Sequence, residues 1–170
     1  MFSQLPHFKA SSLRILLVDD HLLFLEGLSN LLTSVGIEVA GIAYDGFEAL
    51  EQARRLRPDV ILMDLRMPHC DGLAATRMIK AELPDCKIVI LTMSEEEHDL
   101  AEAVRSGASG YLVKRLDALT FFNYLTELEA GCAPFSLGLA EKAVNKSSLP
   151  KSRPNDRDPP VEPVTVQEDD

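Results

Sequence analysis

The chain has 170 residues, room for one ordinary domain and some additional segments, and its 46% hydrophobic content is enough for a full core. The formal net charge of −10 argues against binding to nucleic acid or to an anionic membrane surface, because both require clustered lysine and arginine, so we expect neither partner. Three widely spaced cysteines predict reduced thiols in a cytoplasmic protein, and no apolar run approaches the roughly 20 residues of a membrane span.

Short apolar runs alternate along the chain with longer segments that carry apolar residues at helical spacing. The apolar runs cover 13–18, 37–42, 59–64, 87–92 and 110–114. The helical segments cover 21–34, 46–56, 71–82, 95–106 and 117–130. Continuous apolar strands between helices are typical of a parallel sheet that is covered on both faces. The sequence therefore predicts an α/β fold, a doubly wound five-stranded parallel sheet with helices on both faces.

The segment 95–106 is the least apolar of the predicted helices. Only Leu100, Ala103 and Val104 offer side chains to a core. We therefore expect a weakly anchored surface helix, an element that can move more easily than its neighbours.

The alternating pattern defines one domain, over 13–130. Residues 1–12 precede it as an N-terminal extension. Residues 131–146, which include the amphipathic sequence FSLGLAEKAVNK, are interpreted as a linker helix. Residues 147–170 are rich in proline, serine and aspartate and poor in large apolar residues, which predicts a disordered tail or a truncated linker.

Polar side chains stand at the ends of four of the five predicted strands. In chain order these residues are Asp19, Asp20, Asp64, Thr92 and Lys114. Ligands of open α/β sheets bind beyond the carboxyl ends of the strands. We therefore expect these five side chains to share one site.

The residue types at these strand ends indicate phosphoryl chemistry on a bound cation. Carboxylates at one edge repel each other unless a cation lies among them, and oxygen ligands suit Mg²⁺. Lys114 supplies a fixed positive charge and Thr92 a hydroxyl donor for an incoming anion. A carboxylate beside a metal ion and a lysine can attack a phosphoryl group. Asp64 is the predicted nucleophile because it stands alone at its strand end, and Asp19 and Asp20 are the predicted ion ligands.

Four motifs carry a resemblance to a known family. In chain order they are LLVDDH, DVILMDLRMPHCDG, IVILTMS and GASGYLVK. Over about residues 13–130, the chain resembles the receiver domain of bacterial two-component response regulators. The resemblance implies a flavodoxin-like fold and transfer of a phosphoryl group from a sensor histidine kinase, with Mg²⁺ as cofactor. It also implies a signalling domain rather than an enzyme, apart from self-phosphotransfer and self-dephosphorylation.

The same resemblance implies a role for each site residue. It makes Asp64 the phosphoacceptor. The implied Mg²⁺ ligands are Asp19, Asp20, Asp64 and the backbone carbonyl of Arg66. The implied contacts of the phosphoryl oxygens are Thr92 and Lys114, and the implied switch residues are Thr92 and Tyr111.

Two longer stretches, VDDHLLFLEGLSNLL and AGCAPFSLGLAEKAV, resemble the LuxR/NarL subfamily, in which a DNA-binding helix-turn-helix follows the receiver. No helix-turn-helix pattern follows here. Two functions therefore stay open: a receiver that acts without this module, and a transcription regulator whose DNA-binding domain is missing from this chain. We further expect a homodimer on phosphorylation.

Several residues have simpler structural interpretations. Asp20 could cap the helix that follows it, and Tyr111 could be an ordinary core aromatic residue. A Mg²⁺-dependent phosphohydrolase of the haloacid dehalogenase type is a third functional alternative. That family places a second aspartate two residues after the nucleophile, and this chain has Arg66 there.

Two positions depart from the common receiver pattern. Met93 stands where many receivers have a small residue after the threonine, and it could crowd the phosphoryl pocket. Arg115 stands where many have a proline after the lysine, often with a cis peptide bond.

Overall fold

The five predicted strands lie side by side in one parallel sheet in the computed structural model, which describes residues 12–93 and 96–137. The strands are β1 (Arg14–Val18), β2 (Glu38–Ala43), β3 (Val60–Asp64), β4 (Lys87–Thr92), β5 (Gly110–Val113) and a short β6 (Ser136–Leu137). The helices are α1 (Leu22–Ser34), α2 (Gly46–Leu56), α3 (Gly72–Glu82), α4 (Glu97–Arg105) and α5 (Ala118–Glu129). The strand order β2-β1-β3-β4-β5-β6 contains the order of the flavodoxin-like fold. The predicted α/β class and five-stranded parallel sheet are confirmed.

The strands bury apolar side chains on both faces of the sheet. Leu16 and Val18 of β1 pack into the core beneath α2, α3 and α4, while Ile15 and Leu17 pack into the core beneath α1 and α5. Successive strand residues point to opposite faces, so a continuous apolar run fills both cores at once. This double burial makes the sheet a firm support for the residues at its ends.

Three helices begin at an aspartate whose side chain accepts a backbone N–H in the first turn. These N-caps are Asp45 for α2, Asp71 for α3 and Asp117 for α5. Asp71 accepts from Ala74 at 2.8 Å and so fixes where α3 begins. Because α3 follows the loop after β3, this cap also limits the position of that loop.

A short strand lies where the sequence predicted a linker helix over 131–146. Ser136–Leu137 pairs in parallel with β5, and the N–H of Tyr111 donates to the carbonyl of Phe135 at 2.7 Å. Without β6, β5 would be an edge strand with unpaired backbone groups. The helix prediction is therefore wrong for residues 136–137, and residues 138–146 lie outside the described residues.

The prediction of which α4 residues enter the core is partly wrong. Ala103 is fully buried and Leu100 packs against the core, but Val104 is exposed. Asp99 is buried instead. Asp99 and Ala103 are four residues apart and share one face of the helix. That face therefore offers the domain a carboxylate beside a small apolar surface.

Residues 1–11, 94–95 and 138–170 lie outside the described part of the chain, and with them most of the predicted extension over 1–12 and all of the predicted tail over 147–170. These domain boundaries stay predictions. None of the helices in the described ranges has the length and apolar character that crossing a membrane requires.

Candidate functional site

The ends of β1 and β3 form the topological switch point of the sheet. The two strands are neighbours, and the chain continues from β1 to β2 on one side and from β3 to β4 on the other. Open α/β sheets bind their ligands at such a point, beyond the carboxyl ends of the strands. Asp19 directly follows β1, and Asp64 is the last residue of β3.

Three carboxylates meet at this point. One oxygen from each of Asp19, Asp20 and Asp64 lies within 4.8 Å of the others. Asp19 and Asp64 are only 2% and 8% exposed, whereas Asp20 is exposed. Oxygen donors with one side open to water suit Mg²⁺, which keeps several of its water ligands. The three side chains therefore fit a divalent cation.

The amine of Lys114 lies among these carboxylates. Its Nζ is 2.6 Å from Oδ2 of Asp19 and 3.1 Å from Oδ1 of Asp64, and it also lies 4.4 Å from the centre of the Phe24 ring. The backbone N–H of Lys114 donates to the carbonyl of Thr92 at 2.8 Å, which ties the end of β5 to the end of β4. The lysine thus offsets part of the repulsion between the two buried acids.

The electrostatic environment of Asp64 works against its ionised form. Burial raises the pKa of this carboxyl above its ordinary value of 3.8, and the charge of Asp19 raises it further. The charge and hydrogen bond of Lys114, together with the N–H of Leu65, lower the pKa by a smaller amount. A bound cation would add to the effect of the lysine.

Asp19 is fixed by the backbone that follows it, whereas Asp20 is left facing solvent. Oδ1 of Asp19 accepts the N–H of His21 at 2.9 Å. The N-cap residue of α1 is His21, and its side chain makes no capping hydrogen bond. The alternative that Asp20 is the N-cap of α1 therefore finds no support.

Thr92 and Tyr111 lie on the neighbouring strands β4 and β5. Thr92 ends β4 and is buried, and Tyr111 on β5 is fully buried. Burial raises the pKa of the Tyr111 hydroxyl, as does the charge of Asp99, whereas a hydrogen bond with Thr92 lowers the pKa. Tyr111 is thus a core aromatic residue that also contacts the threonine, which is compatible with both interpretations of this residue.

The side chain of Arg66 points to α4. Its Nη2 lies 3.2 Å from both Oδ1 and Oδ2 of Asp99. This contact was not predicted from the sequence, because only Leu100, Ala103 and Val104 were considered as residues of this helix that face the core. The signal was present, since Asp99 stands four residues before Ala103, on the core face of the helix. The role of the Arg66 carbonyl as a ligand stays a prediction.

Gly72 allows α3 to start directly against the end of β3. Its N–H donates to the carbonyl of Leu65 at 2.9 Å, and a Cβ atom at this position would overlap the backbone carbonyl of Asp64.

The two positions that depart from the common receiver pattern are ordinary in structure. Met93 is exposed, and the described peptide bonds, including the one that precedes Arg115, are trans.

The family model of the response regulator receiver domain matches residues 15–126. Among curated proteins, the chain is 36% identical to the response regulator GacA of Pseudomonas viridiflava over 140 residues, which is 82% of this chain. The chain spans 65% of the length of that relative.

Two solved structures share both the fold and part of the sequence. A LuxR-family two-component response regulator from Aurantimonas sp. SI85-9A1 superimposes with a TM-score of 0.73 at 31% identity, covering 81% of this chain and 99% of that one. The receiver domain of NarL from Mycobacterium tuberculosis superimposes with a TM-score of 0.67 at 30% identity, covering 70% and 97%. The chain belongs to the response regulator receiver family and is the receiver domain of a two-component response regulator.

Proposed function

We propose that Asp64 accepts a phosphoryl group from a phosphohistidine of a sensor histidine kinase. The observation that carries the proposal is the position of the Lys114 amine, within 3.1 Å of both Asp19 and Asp64 in a cluster of three carboxylates. Buried acids around a lysine, with one side open to solvent, form a site for a cation and an anion together.

The reaction is a displacement at phosphorus. A carboxylate oxygen of Asp64 forms the new O–P bond while the P–N bond to the histidine of the kinase breaks, and the electron pair of that bond stays on the imidazole nitrogen. Lys114 places positive charge next to the attacking carboxylate, and after transfer its amine can bind a phosphoryl oxygen. Thr92 offers its hydroxyl to another phosphoryl oxygen.

The proposed ligands of Mg²⁺ are the side chains of Asp19, Asp20 and Asp64 and the backbone carbonyl of Arg66. When bound, Mg²⁺ would neutralise charge on the transferring oxygens. Asp19 is held for this task by the N–H of His21, and exposed Asp20 keeps the solvent side of the site polar. We propose no further catalytic chemistry beyond self-phosphorylation and self-dephosphorylation.

Thr92 and Tyr111 are the proposed switch. Phosphorylation would draw the Thr92 hydroxyl toward the phosphoryl oxygens and away from its hydrogen bond with Tyr111. The tyrosine and α4 could then rearrange together. A pre-existing equilibrium is sufficient, because the phosphoryl group only has to bind the rearranged form more tightly.

The proposed partners are the kinase and a second copy of the phosphorylated chain. Two large apolar side chains of α1, Leu22 and Leu23, are exposed. Leu23 also lines a groove of about 320 Å³, together with Leu28, Leu31 and Phe121. Exposed apolar surface of this kind favours association with another protein. The free thiols of all three cysteines support the cytoplasm as the compartment.

A transcription regulator is the second candidate function. It is favoured by the length of the GacA relative, which extends beyond the part that this chain matches. The coding sequence downstream of Asp170 tests it, because a helix-turn-helix in the same reading frame would supply the DNA-binding domain.

Treatment with a small-molecule phosphodonor, with and without Mg²⁺, tests the phosphoacceptor. Intact mass measures the modification, and size-exclusion chromatography measures assembly. We expect one phosphoryl group per chain in Mg²⁺ and little in EDTA. The Asp64→Asn variant should stay unmodified.

The control variant is Asp45→Asn, because asparagine caps a helix about as well as aspartate does. It should be labelled like the wild type. Undiminished labelling of Asp64→Asn would contradict the assignment, and multiple turnover of a phosphomonoester would favour the phosphohydrolase alternative.

A further inference from the structure

The buried acid of α4 sets up a second ionic arrangement outside the carboxylate cluster. The side chain of Asp99 is 6% exposed, although it belongs to the helix with the smallest apolar face. A buried carboxylate is costly unless a cation and hydrogen bonds compensate for its lost hydration. The position of α4 therefore depends on what pairs with Asp99.

Arg66 provides that compensation. Its Nη2 donates to both oxygens of Asp99 at 3.2 Å, and the nearest imidazole nitrogen, Nδ1 of His98, is 4.0 Å from Oδ1. The Arg66 side chain is 73% exposed, so the guanidinium can leave without breaking the core. One partner of the pair is thus fixed and buried, and the other is free to reorient.

The position of Arg66 in the chain connects this pair to the phosphoryl site. Arg66 stands two residues after Asp64, at the start of the loop between β3 and α3. A phosphoryl group on Asp64 would carry about −1.5 to −2 charges near the base of this side chain, in place of the single negative charge of the carboxylate. Guanidinium groups bind phosphoryl oxygens strongly, because their planar donors match two oxygens at once. Phosphorylated Asp64 and Asp99 would therefore compete for one cation.

We propose that Arg66 and Asp99 form a charge latch that holds α4 while Asp64 is unmodified, and that phosphorylation opens it by drawing Arg66 to the phosphoryl group. The latch rests on the proposed phosphoacceptor role of Asp64. Once Arg66 leaves, Asp99 is a buried charge without its cation, and α4 must shift so that water reaches the carboxylate.

Tyr111 gives the latch a second consequence. Its side chain is fully buried, and its hydroxyl senses both charges of the pair, since Asp99 raises the pKa of Tyr111 and Arg66 lowers it. A shift of α4 that hydrates Asp99 weakens the effect of that charge on the Tyr111 hydroxyl. The latch thus couples the charge of the phosphoryl group to α4, the helix that the proposed switch of Thr92 and Tyr111 also moves.

Hydrogen exchange of the α4 backbone amides, followed by mass spectrometry, tests the latch. In the wild type, phosphorylation should speed exchange in α4 roughly tenfold while α2 is unchanged. Arg66→Gln should show this fast exchange without phosphorylation. Asp99→Asn should keep α4 protected in both states, because it removes the buried charge.

The double variant Arg66→Gln/Asp99→Asn is the discriminating case. It should restore the protection that Arg66→Gln loses, since no charge is left without its partner. If Arg66 only packs against α4, the second substitution will not restore protection, and the latch is refuted. Arg54→Gln is the matched control, because Arg54 pairs with exposed Glu82 and should leave α4 exchange unchanged.

Intact mass of the same samples separates the two proposals. Failure to modify the wild type in Mg²⁺ contradicts the phosphoacceptor assignment and, with it, the opening step. Full modification without faster exchange in α4 contradicts the latch alone. The rescue by Asp99→Asn is measured in unphosphorylated protein, so it reports on the ion pair in either case.

Discussion

The amine of Lys114 lies 2.6 Å from Oδ2 of Asp19, closer than the 3.1 Å that separates it from Oδ1 of Asp64. The positive charge of Lys114 therefore lies closer to Asp19, a predicted metal ligand, than to Asp64, the predicted nucleophile. Because both acids are buried, this amine is an internal counter-ion of the site. A metal ion that binds there therefore either adds to the positive charge of the Lys114 amine or displaces that amine from the carboxylates.

Removal of the lysine charge should destabilise the metal-free protein strongly, and Mg²⁺ should reverse much of the loss. Lys114→Gln leaves two neighbouring buried carboxylates without their cation, a change that costs about 3–5 kcal/mol when a buried pair is broken. A ligand that binds only the folded state adds stability that grows with its concentration. Urea unfolding in EDTA and in millimolar Mg²⁺ measures both effects.

Lys80→Gln is the control for this experiment. The amine of Lys80 donates to the backbone carbonyls of Pro84 and Cys86 and to no carboxylate of the site. Its loss should lower stability equally with and without Mg²⁺. Equal responses of Lys114→Gln and Lys80→Gln to Mg²⁺ would show that the metal does not act at the Lys114 cluster.

Neutralisation of Asp64 should stabilise the metal-free protein. Burial and the charge of Asp19 raise the pKa of Asp64, so its ionised form is less favourable in the folded state than in the unfolded chain. Asp64→Asn should therefore raise the free energy of unfolding at neutral pH by about 0.5–2 kcal/mol, the range of a single stabilising substitution. Asp85→Asn, a change at an exposed loop residue, is the control and should have little effect.

The stability that Asp64→Asn gains over the wild type should change with pH in a direction that follows from the raised pKa of Asp64. The folded-state pKa of Asp64 lies above its ordinary value of 3.8, so between these two values the folded protein binds more protons than the unfolded chain. The free energy of unfolding then falls as the pH rises through that window. The advantage of Asp64→Asn in EDTA should therefore shrink as the pH falls through this window and should be lost below about pH 4. An advantage that stays constant across the window would contradict the raised pKa.

The sequence predicted the fold and the cluster because both follow from strand ends. A continuous apolar run identifies a buried parallel strand, and the first polar residues after it must lie at one edge of the sheet. Asp19, Asp64, Thr92 and Lys114 were found in this way. Their separations were not predictable, since the preference of Lys114 for Asp19 depends on side-chain geometry.

The misses have a different physical cause. Asp99 was overlooked because an acidic first turn is normally solvated, and only its partner Arg66, far away in sequence, makes burial possible. The pairing of Ser136–Leu137 with β5 was missed because a two-residue strand has no period of its own. In both cases a long-range contact decides the outcome and local pattern does not.

Gly72 should be more sensitive to a methyl group than any exposed helical glycine. In Gly72→Ala the new Cβ would overlap the carbonyl oxygen of Asp64, so the backbone at the predicted phosphoacceptor must shift. We expect a loss of about 1–3 kcal/mol, as for other overpacked sites, and slower labelling by a phosphodonor.

Gly27→Ala is the matched control for Gly72→Ala. Gly27 lies inside α1, and a Cβ there would meet nothing within 4 Å. Alanine favours a helix interior over glycine by about 1 kcal/mol, so this variant should be more stable and label normally. Unchanged stability and labelling in Gly72→Ala would mean that α3 can move away from β3 at no cost.

Substitutions at Gly110 and Tyr124 should affect the free energy of unfolding in a way that depends on each other. The hydroxyl of Tyr124 is buried and has no hydrogen-bond partner in the described part of the chain, and a Cβ at Gly110 would overlap that oxygen. Gly110→Ala should cost about 1–3 kcal/mol. Tyr124→Phe removes the obstructing atom together with an unpaired polar group, so it should be neutral or stabilising.

The double variant should therefore be less destabilised than Gly110→Ala alone, with a coupling of about 1 kcal/mol or more in a double-mutant cycle measured by urea unfolding. Burial also raises the pKa of Tyr124 to about 12. The folded protein then holds the proton of this hydroxyl more tightly than the unfolded chain, where the pKa of tyrosine is about 10. The free energy of unfolding should therefore fall as the pH rises from about 10 to about 12. Tyr124→Phe should remove that part of the alkaline loss. Strict additivity in the cycle would mean that the Gly110 side of β5 accommodates a methyl group by moving α5, and not by displacing the hydroxyl.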